Sequence, residues 1–296
     1  MRLDDVRESG NVEDRRSGGG GFGGGRGVGP KAAGGGIGVI VIGLLVVLLG
    51  GDPGALTGLL GDGGGSTAVA ESASPRSAEQ RAFVAKVLAT TEDVWGALFA
   101  KSGKTYVEPK LVLFTGHVDS ACGHAEAAMG PFYCPGDSKV YLDFAFFDEL
   151  ARRFAAPGDF AAAYVIGHEV GHHVQNLLGA NRRVADARGR VTDAEYNRLS
   201  VRLELQADFY AGVWAHHAEK RFAFLEHGDV DEALRAAFAI GDDTLQKQAQ
   251  GYVVPDSFTH GTSAQRIAWF KHGFNTGDPT KGDTFDERVF RSVTPK

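Results

Sequence analysis

The sequence predicts a mostly helical α+β domain with a small β-sheet, preceded by one transmembrane helix. Three observations predict it: long stretches with apolar residues at helical spacing, two short β-like runs set among Gly and Pro, and one uncharged apolar segment near the N-terminus. The chain has 296 residues, enough for one full-sized domain with appendages. More than half of its 42 glycines crowd into the first 65 positions, so the Gly richness describes a leader region and the remainder has an ordinary globular composition. A net charge of -6 without a long basic run excludes the usual nucleic-acid binder, which needs clustered Lys and Arg to neutralise phosphates.

Residues 1–31 read as a Gly-rich disordered cytoplasmic tail, because Gly18 to Gly25 cannot bury enough apolar area to fold. Residues 32–51, AAGGGIGVIVIGLLVVLLGG, carry no charge and match the thickness of a hydrocarbon layer at about 1.5 Å rise per residue. The long preceding tail and the distance to the nearest small-x-small site, Ala68-Val69-Ala70, favour an uncleaved anchor. Arg15, Arg16, Arg26 and Lys31 precede the segment, whereas Asp52 and Asp62 follow it. The positive-inside rule therefore predicts a single-pass cell-membrane protein, N-terminus cytoplasmic and body extracytoplasmic. Residues 52–78 read as a flexible linker and 79–296 as the folded domain.

The two cysteines, Cys122 and Cys134, admit two readings, a disulfide in an oxidising compartment or two free thiols in the cytosol. An extracytoplasmic body favours the disulfide.

Within the body, Ser77-Ala78-Glu79-Gln80 opens a helix bearing Phe83, Val84, Val87, Leu88, Val94, Trp95 and Leu98 at helical spacing. Lys110 to Thr115 and Lys139 to Phe144 read as strands bracketing the cysteine loop. A helix with Asp159 as N-cap runs through Val170, Val174, Leu177 and Leu178 to a stop at Gly179. Another spans about Thr192 to Phe222.

The first of these two helices contains His168-Glu169-Val170-Gly171-His172. Residues i and i+4 share a helix face, so both imidazoles can converge on one ion. Glu169, beside the first ligand, is placed as general base for a metal-activated water. Gly171 leaves room for close backbone approach, at a cost of about 1 kcal/mol in helix propensity. A chance match arises in about one chain in a hundred of this size, so context decides. The second helix offers Glu204 and Asp208, an acidic i,i+4 pair whose bland reading is a solvated face. Two His plus Glu204 make a three-ligand site with an open position, the pattern of catalytic zinc, and Asp208 could orient a ligand histidine. The same donors could hold manganese or cobalt.

The stretches CGHAEAAMGPFYCPGDSKVYLDFAFF, VIGHEVGHHVQNLLG, RLELQADFYAGVWAHH and PDSFTHGTSAQRIAWF resemble the putative neutral zinc metallopeptidase family of membrane-anchored bacterial proteins. The resemblance implies a zincin-like (gluzincin) domain binding one zinc ion through His168, His172 and Glu204, with Glu169 as base and Asp208 behind the ligands. Phe209 stands where many relatives would have a small residue or Cys. By partial analogy with gluzincin membrane proteases, Thr259-His260 followed by Arg266-Ile267 places His260 near the metal. There it could hydrogen-bond an oxyanion; the bland reading is a structurally bonded histidine. His173 should point about 100° away from the ligands. His216 and His217 should lie outside the site, and nothing assigns His117 or His124.

The resemblance implies hydrolysis of peptide bonds in an extended peptide or protein held along a strand edge, for which Lys139 to Phe144 is the candidate. A catalytically inactive, zinc-stabilised extracytoplasmic peptide-binding or chaperone module would carry the same motif. Other expected contacts are the membrane, through the single N-terminal span, and no nucleic acid.

Overall fold

The computed structural model describes residues 1–16, 75–153 and 157–295. The apolar segment 32–51 and most of the linker lie outside the described residues, among which no helix is long and apolar enough to cross a membrane. Among the described residues the fold is mostly helical with two small sheets.

Apolar residues three and four apart give α1 (Pro75–Lys101) a buried face of Val84, Val87, Leu88, Val94 and Trp95, as the periodicity predicts. The two sequence-read strands are β2 (Lys110–Phe114) and β6 (Lys139–Asp143), paired in parallel. Between them the cysteine region folds into the hairpin β3 (His117–Ser120) and β4 (Gly123–Glu126), followed by β5 (Phe132–Cys134), antiparallel to β6. Successive residues of β2 face opposite ways. Leu111 and Leu113 join the main core with Trp95, Ile166 and Trp214, whereas Val112 and Phe114 pack with Val118, Phe132 and Tyr141 beneath the hairpin. A Cys122–Cys134 disulfide ties that hairpin to β5.

Two expectations need correction here. Lys139 to Phe144 is not a sheet edge. The sheet order is β1 (Val12–Asp14), β2, β6, β5, so both sides of β6 are already hydrogen-bonded and the strand at the end is β5. The tail is not disordered over residues 1–16. Val12–Asp14 forms β1, parallel to β2 in the register Val12 to Leu111 and Asp14 to Leu113. Val6 and Val12 are buried, and Arg7, Ser9 and Asn11 all bond Glu92 of α1. The Met1 amino group lies 2.8 Å from Asp159 and 3.0 Å from Glu226. The folded unit therefore includes residues 1–16.

After α2 (Ala145–Arg153) comes α3 (Asp159–Leu178), the helix bearing the motif. Its N-cap is Gly158 and not Asp159, and the Phe160 N–H at this end donates to Glu232 of a later helix. It stops at Gly179, whose φ of 87° is the left-handed turn expected of a C-cap glycine. A short α4 (Ala180–Ala187) leads to α5 (Asp193–Phe222), which Thr192 caps reciprocally with Glu195. Helices α6 (Asp229–Ala239), α7 (Asp242–Gln250), α8 (Ser263–Thr276) and α9 (Glu287–Val293) complete the described chain. Close approaches bring α3, α5 and α8 together. A Cβ on Gly171 would lie 2.8 Å from the Ala207 carbonyl oxygen, and one on Gly273 would lie 2.0 Å from that of Phe209. Phe209 itself is fully buried, its ring against Trp269 and His272.

Candidate metal centre

The close α3–α5 contact sets the site. His168 and His172, one turn apart on α3, present their Nε2 atoms to one carboxylate on α5: His168 Nε2 is 3.2 Å from Glu204 Oε2 and His172 Nε2 is 3.4 Å from Glu204 Oε1. All three residues are buried, and their ligand atoms lie within 4.8 Å of one another. Tetrahedral zinc with bonds near 2.0–2.1 Å holds its ligand atoms about 3.3 Å apart, so the spacing fits. The His172 Nε2 and Glu169 Oε2 atoms are buried without a hydrogen-bond partner. Such orphaned atoms are costly in a protein interior unless something occupies the space they face. Imidazole nitrogens with one carboxylate are a donor set suited to zinc.

The far side of each imidazole is held. His168 Nδ1 lies 2.8 Å from Asp208 Oδ1, and His172 Nδ1 lies 2.8 Å from Gln175 Oε1. Both partners accept, so each Nδ1 carries the proton and each Nε2 lone pair faces Glu204. Asp208 is fully buried and satisfied four times: by His168, by the Tyr164 hydroxyl at 2.6 Å, and by Arg266 at 2.8 and 2.9 Å. Burial opposes its charge, but Arg266 and His168 outweigh burial and hold its carboxyl down at about 2. Gln175 is fixed in turn by donating to the Leu203 carbonyl and Gln206. Burial also pushes the Glu169 carboxyl up.

His260 lies on the loop before α8, buried, with Nδ1 3.0 Å from Asp242 Oδ1 and Nε2 unpartnered. Burial opposes its protonation, Asp242 outweighs burial, and Glu204 acts on it in the same sense. The other Asp242 oxygen accepts the backbone N–H groups of Thr259, His260 and Gly261, fixing the turn that presents the ring. The other histidines singled out from the sequence have partners away from the site. His173 sits between the Tyr133 hydroxyl and the Val107 carbonyl, while His216 and His217 bond the Phe274 and Gly277 carbonyls. His117 and His124 face each other across the hairpin.

Sequence reasoning missed Gln175 and Asp242. Gln175 was findable, since i+3 places it on the His172 face of the same helix. Asp242 gave no local signal.

An HExxH helix facing a Glu on the next long helix defines a metallopeptidase-like centre. The chain belongs to the family described as putative neutral zinc metallopeptidase, which it matches over residues 1–285. It is 52% identical over 291 residues to the uncharacterised protein YpfJ of Escherichia coli K12, covering 98% of this chain and 100% of that protein. It is 45% identical over 191 residues to the uncharacterised protein Rv2575 of Mycobacterium tuberculosis H37Rv, covering 61% of this chain and 63% of that one. No solved structure matches the chain significantly.

Proposed function

We propose that the protein is a zinc-dependent metallopeptidase that hydrolyses peptide bonds with Glu169 as general base, in a gluzincin-like domain. The observation that carries this reading is the convergence of His168 Nε2, His172 Nε2 and the Glu204 carboxylate beside the buried, unpartnered Glu169 Oε2. His168, His172 and Glu204 would hold the zinc ion, which when bound would supply Lewis acidity for the scissile carbonyl and a water acidic enough to act near neutral pH. Glu169 takes the proton from the attacking water and delivers it to the leaving amine, a task its burial suits by raising its basicity. Asp208 and Gln175 keep both imidazoles in the tautomer that frees Nε2. His260, oriented by Asp242, offers its free Nε2–H to the oxyanion, a contribution typically worth a few kcal/mol.

β5 stands at the end of its sheet and packs beside α3 through Tyr133 and His173, which supports a substrate laid antiparallel along it. The disulfide supports an oxidising compartment for the domain. The paired β1 supports residues 1–16 lying in that same compartment, so the single-span arrangement is not carried into this proposal.

Glu169→Gln tests the reading. Zinc stoichiometry should stay at one per chain while cleavage of a generic peptide library falls by about a thousandfold or more. Equal cleavage by both proteins refutes the assigned base. A wild-type protein that holds zinc and binds peptides without cutting them establishes the inactive binding module instead.

A further inference from the structure

The hydrogen bonds behind His172 do not stop at Gln175. Gln175 Nε2 donates to the Leu203 carbonyl at 2.6 Å and to Gln206 Oε1 at 3.1 Å, and Gln206 Nε2 donates in turn to the Gly282 carbonyl at 2.8 Å. Both glutamines are buried, with exposures of 0% and 6%. A relay thus runs from the segment between α8 and α9, through α5, to the imidazole on α3.

The relay has one direction. A backbone carbonyl can only accept, so Gly282 obliges Gln206 to turn its NH2 group outward and its oxygen towards Gln175. That oxygen and the Leu203 carbonyl together take the Gln175 NH2 group, which leaves the Gln175 oxygen facing His172 Nδ1, and that nitrogen must then carry the proton. Glu204 works against this arrangement in the metal-free site, because its carboxylate lies 3.4 Å from His172 Nε2 and would accept a proton placed there. Turning either amide over would set like groups face to face in a buried place.

The far end of the relay is firmly held. The Gly282 carbonyl also accepts the Thr284 N–H at 2.9 Å, and Thr284 is fully buried. Its hydroxyl donates to the Arg202 carbonyl at 2.7 Å, while its own carbonyl accepts from the Arg202 guanidinium at 2.6 Å. Arg202 and Gln206 are one turn apart on α5, so this helix grips the segment at i and i+4 on one face. A Cβ on Gly282 would run into the Phe209 ring, so only glycine lets the carbonyl come down to Gln206.

We infer that Gln206 is a positioning residue of the metal centre: anchored on the Gly282 carbonyl, it orients the Gln175 amide, which keeps the His172 Nε2 lone pair free for the ion. The inference rests on the metal-binding part of the proposed function and is independent of peptide hydrolysis.

The experiment uses the full chain carrying Gln206→Met, which preserves side-chain length and removes both hydrogen-bonding functions. Gln246→Met is the control, the same change at an equally buried glutamine whose partners are Val254 and Ser257. Zinc affinity is read by competition with a chelator. Nitrogen-15 NMR of the metal-free chain, labelled at histidine and assigned with His172→Asn, reports which His172 nitrogen carries the proton. The wild type should show the Nδ1–H form alone. Gln206→Met should show a mixture with the Nε2–H form and bind zinc about three- to tenfold more weakly, a smaller loss than removal of a ligand's own partner brings. Gln246→Met should change neither readout, although both variants lower Tm. A wild-type His172 spectrum with zinc affinity within twofold in Gln206→Met, or equal effects from Gln246→Met, overturns the inference. Should Gln206→Met fail to fold, Gln206→Asn keeps the amide but is one carbon too short to reach both partners; it should give the same mixture and zinc loss, and wild-type behaviour overturns the inference. If the wild type binds no zinc, the metal reading fails, while the His172 spectra of the metal-free proteins still decide the relay.

Discussion

Replacing Gly171 with alanine tests whether the close α3–α5 approach sets the metal site. The new Cβ would meet the Ala207 carbonyl oxygen at 2.8 Å and the Ala207 Cα at 3.1 Å, against 3.4 Å for the onset of ordinary contact, a shortfall of roughly 0.6 Å. Both obstacles are backbone, so no side chain can swing aside and the helices must part. Ala207 lies between Glu204 and Asp208, and its displacement carries both carboxylates away from the α3 histidines. Metal–ligand distances tolerate only about 0.2 Å, so a shift of several tenths should weaken zinc binding by about tenfold to a hundredfold. Overpacking costs about 1–3 kcal/mol, and the better helix propensity of alanine returns about 1 kcal/mol. The net loss of about 0–2 kcal/mol lowers Tm by only a few degrees at this size. The assay is zinc titration against a competing chelator, with thermal melts of the metal-free protein alongside. Gly96→Ala is the control: it lies mid-helix in α1 with nothing within 4 Å of the added carbon, and should gain about 0.5–1 kcal/mol. If Gly171→Ala binds zinc within twofold of wild type, the helix spacing does not govern the site.

Three further outcomes follow from the same geometry. Gln175→Leu removes the acceptor for His172 Nδ1 and should reduce zinc affinity about tenfold to a hundredfold in the same titration, while Glu169-dependent proton transfer stays intact at saturating zinc. Deleting residues 1–16 removes the buried side chains of Val6 and Val12 and the bonds to Glu92, and should cost about 3 kcal/mol or more, read as a lower urea midpoint. Hydrogen exchange at β1 should also report pH. Arg15 first, then Lys139 and Lys110, hold the Glu13 carboxyl down at about 2 from an ordinary 4.5. A depressed folded-state value stabilises fully above 4.5 and is lost as pH falls through about 2, so protection of residues 12–14 should decline across that window and not above it.

The metal helix was legible because its signals are local. Period, the Gly179 stop and the i,i+4 histidines all lie within one 20-residue helix, and Thr192 marks the start of the next. Glu204 and Asp208 were legible from the same i,i+4 logic once the histidines were recognised. Asp242 was not, because its partners at 259–261 lie on another element and the contact exists only after α7 and α8 pack. The edge assignment failed for a similar reason. β5 is three residues long, too short to register as a strand, yet it displaces β6 from the edge. β1, reading Val-Glu-Asp, has two residues poorly suited to strands and is held by pairing across nearly a hundred positions.

The placement of β1 has a consequence for how the chain is made. Residues 12–14 pair with β2 and pack on α1, so once made they must wait, unsatisfied, until residues up to Leu113 have been synthesised and presented to the same space. Long-range parallel pairing is slow to form, and until it does β2 exposes a bare, largely apolar edge. A strand made long before its partner is thus late to find its place, and expression of a chain lacking residues 1–16 should suffer in solubility before it suffers in chemistry.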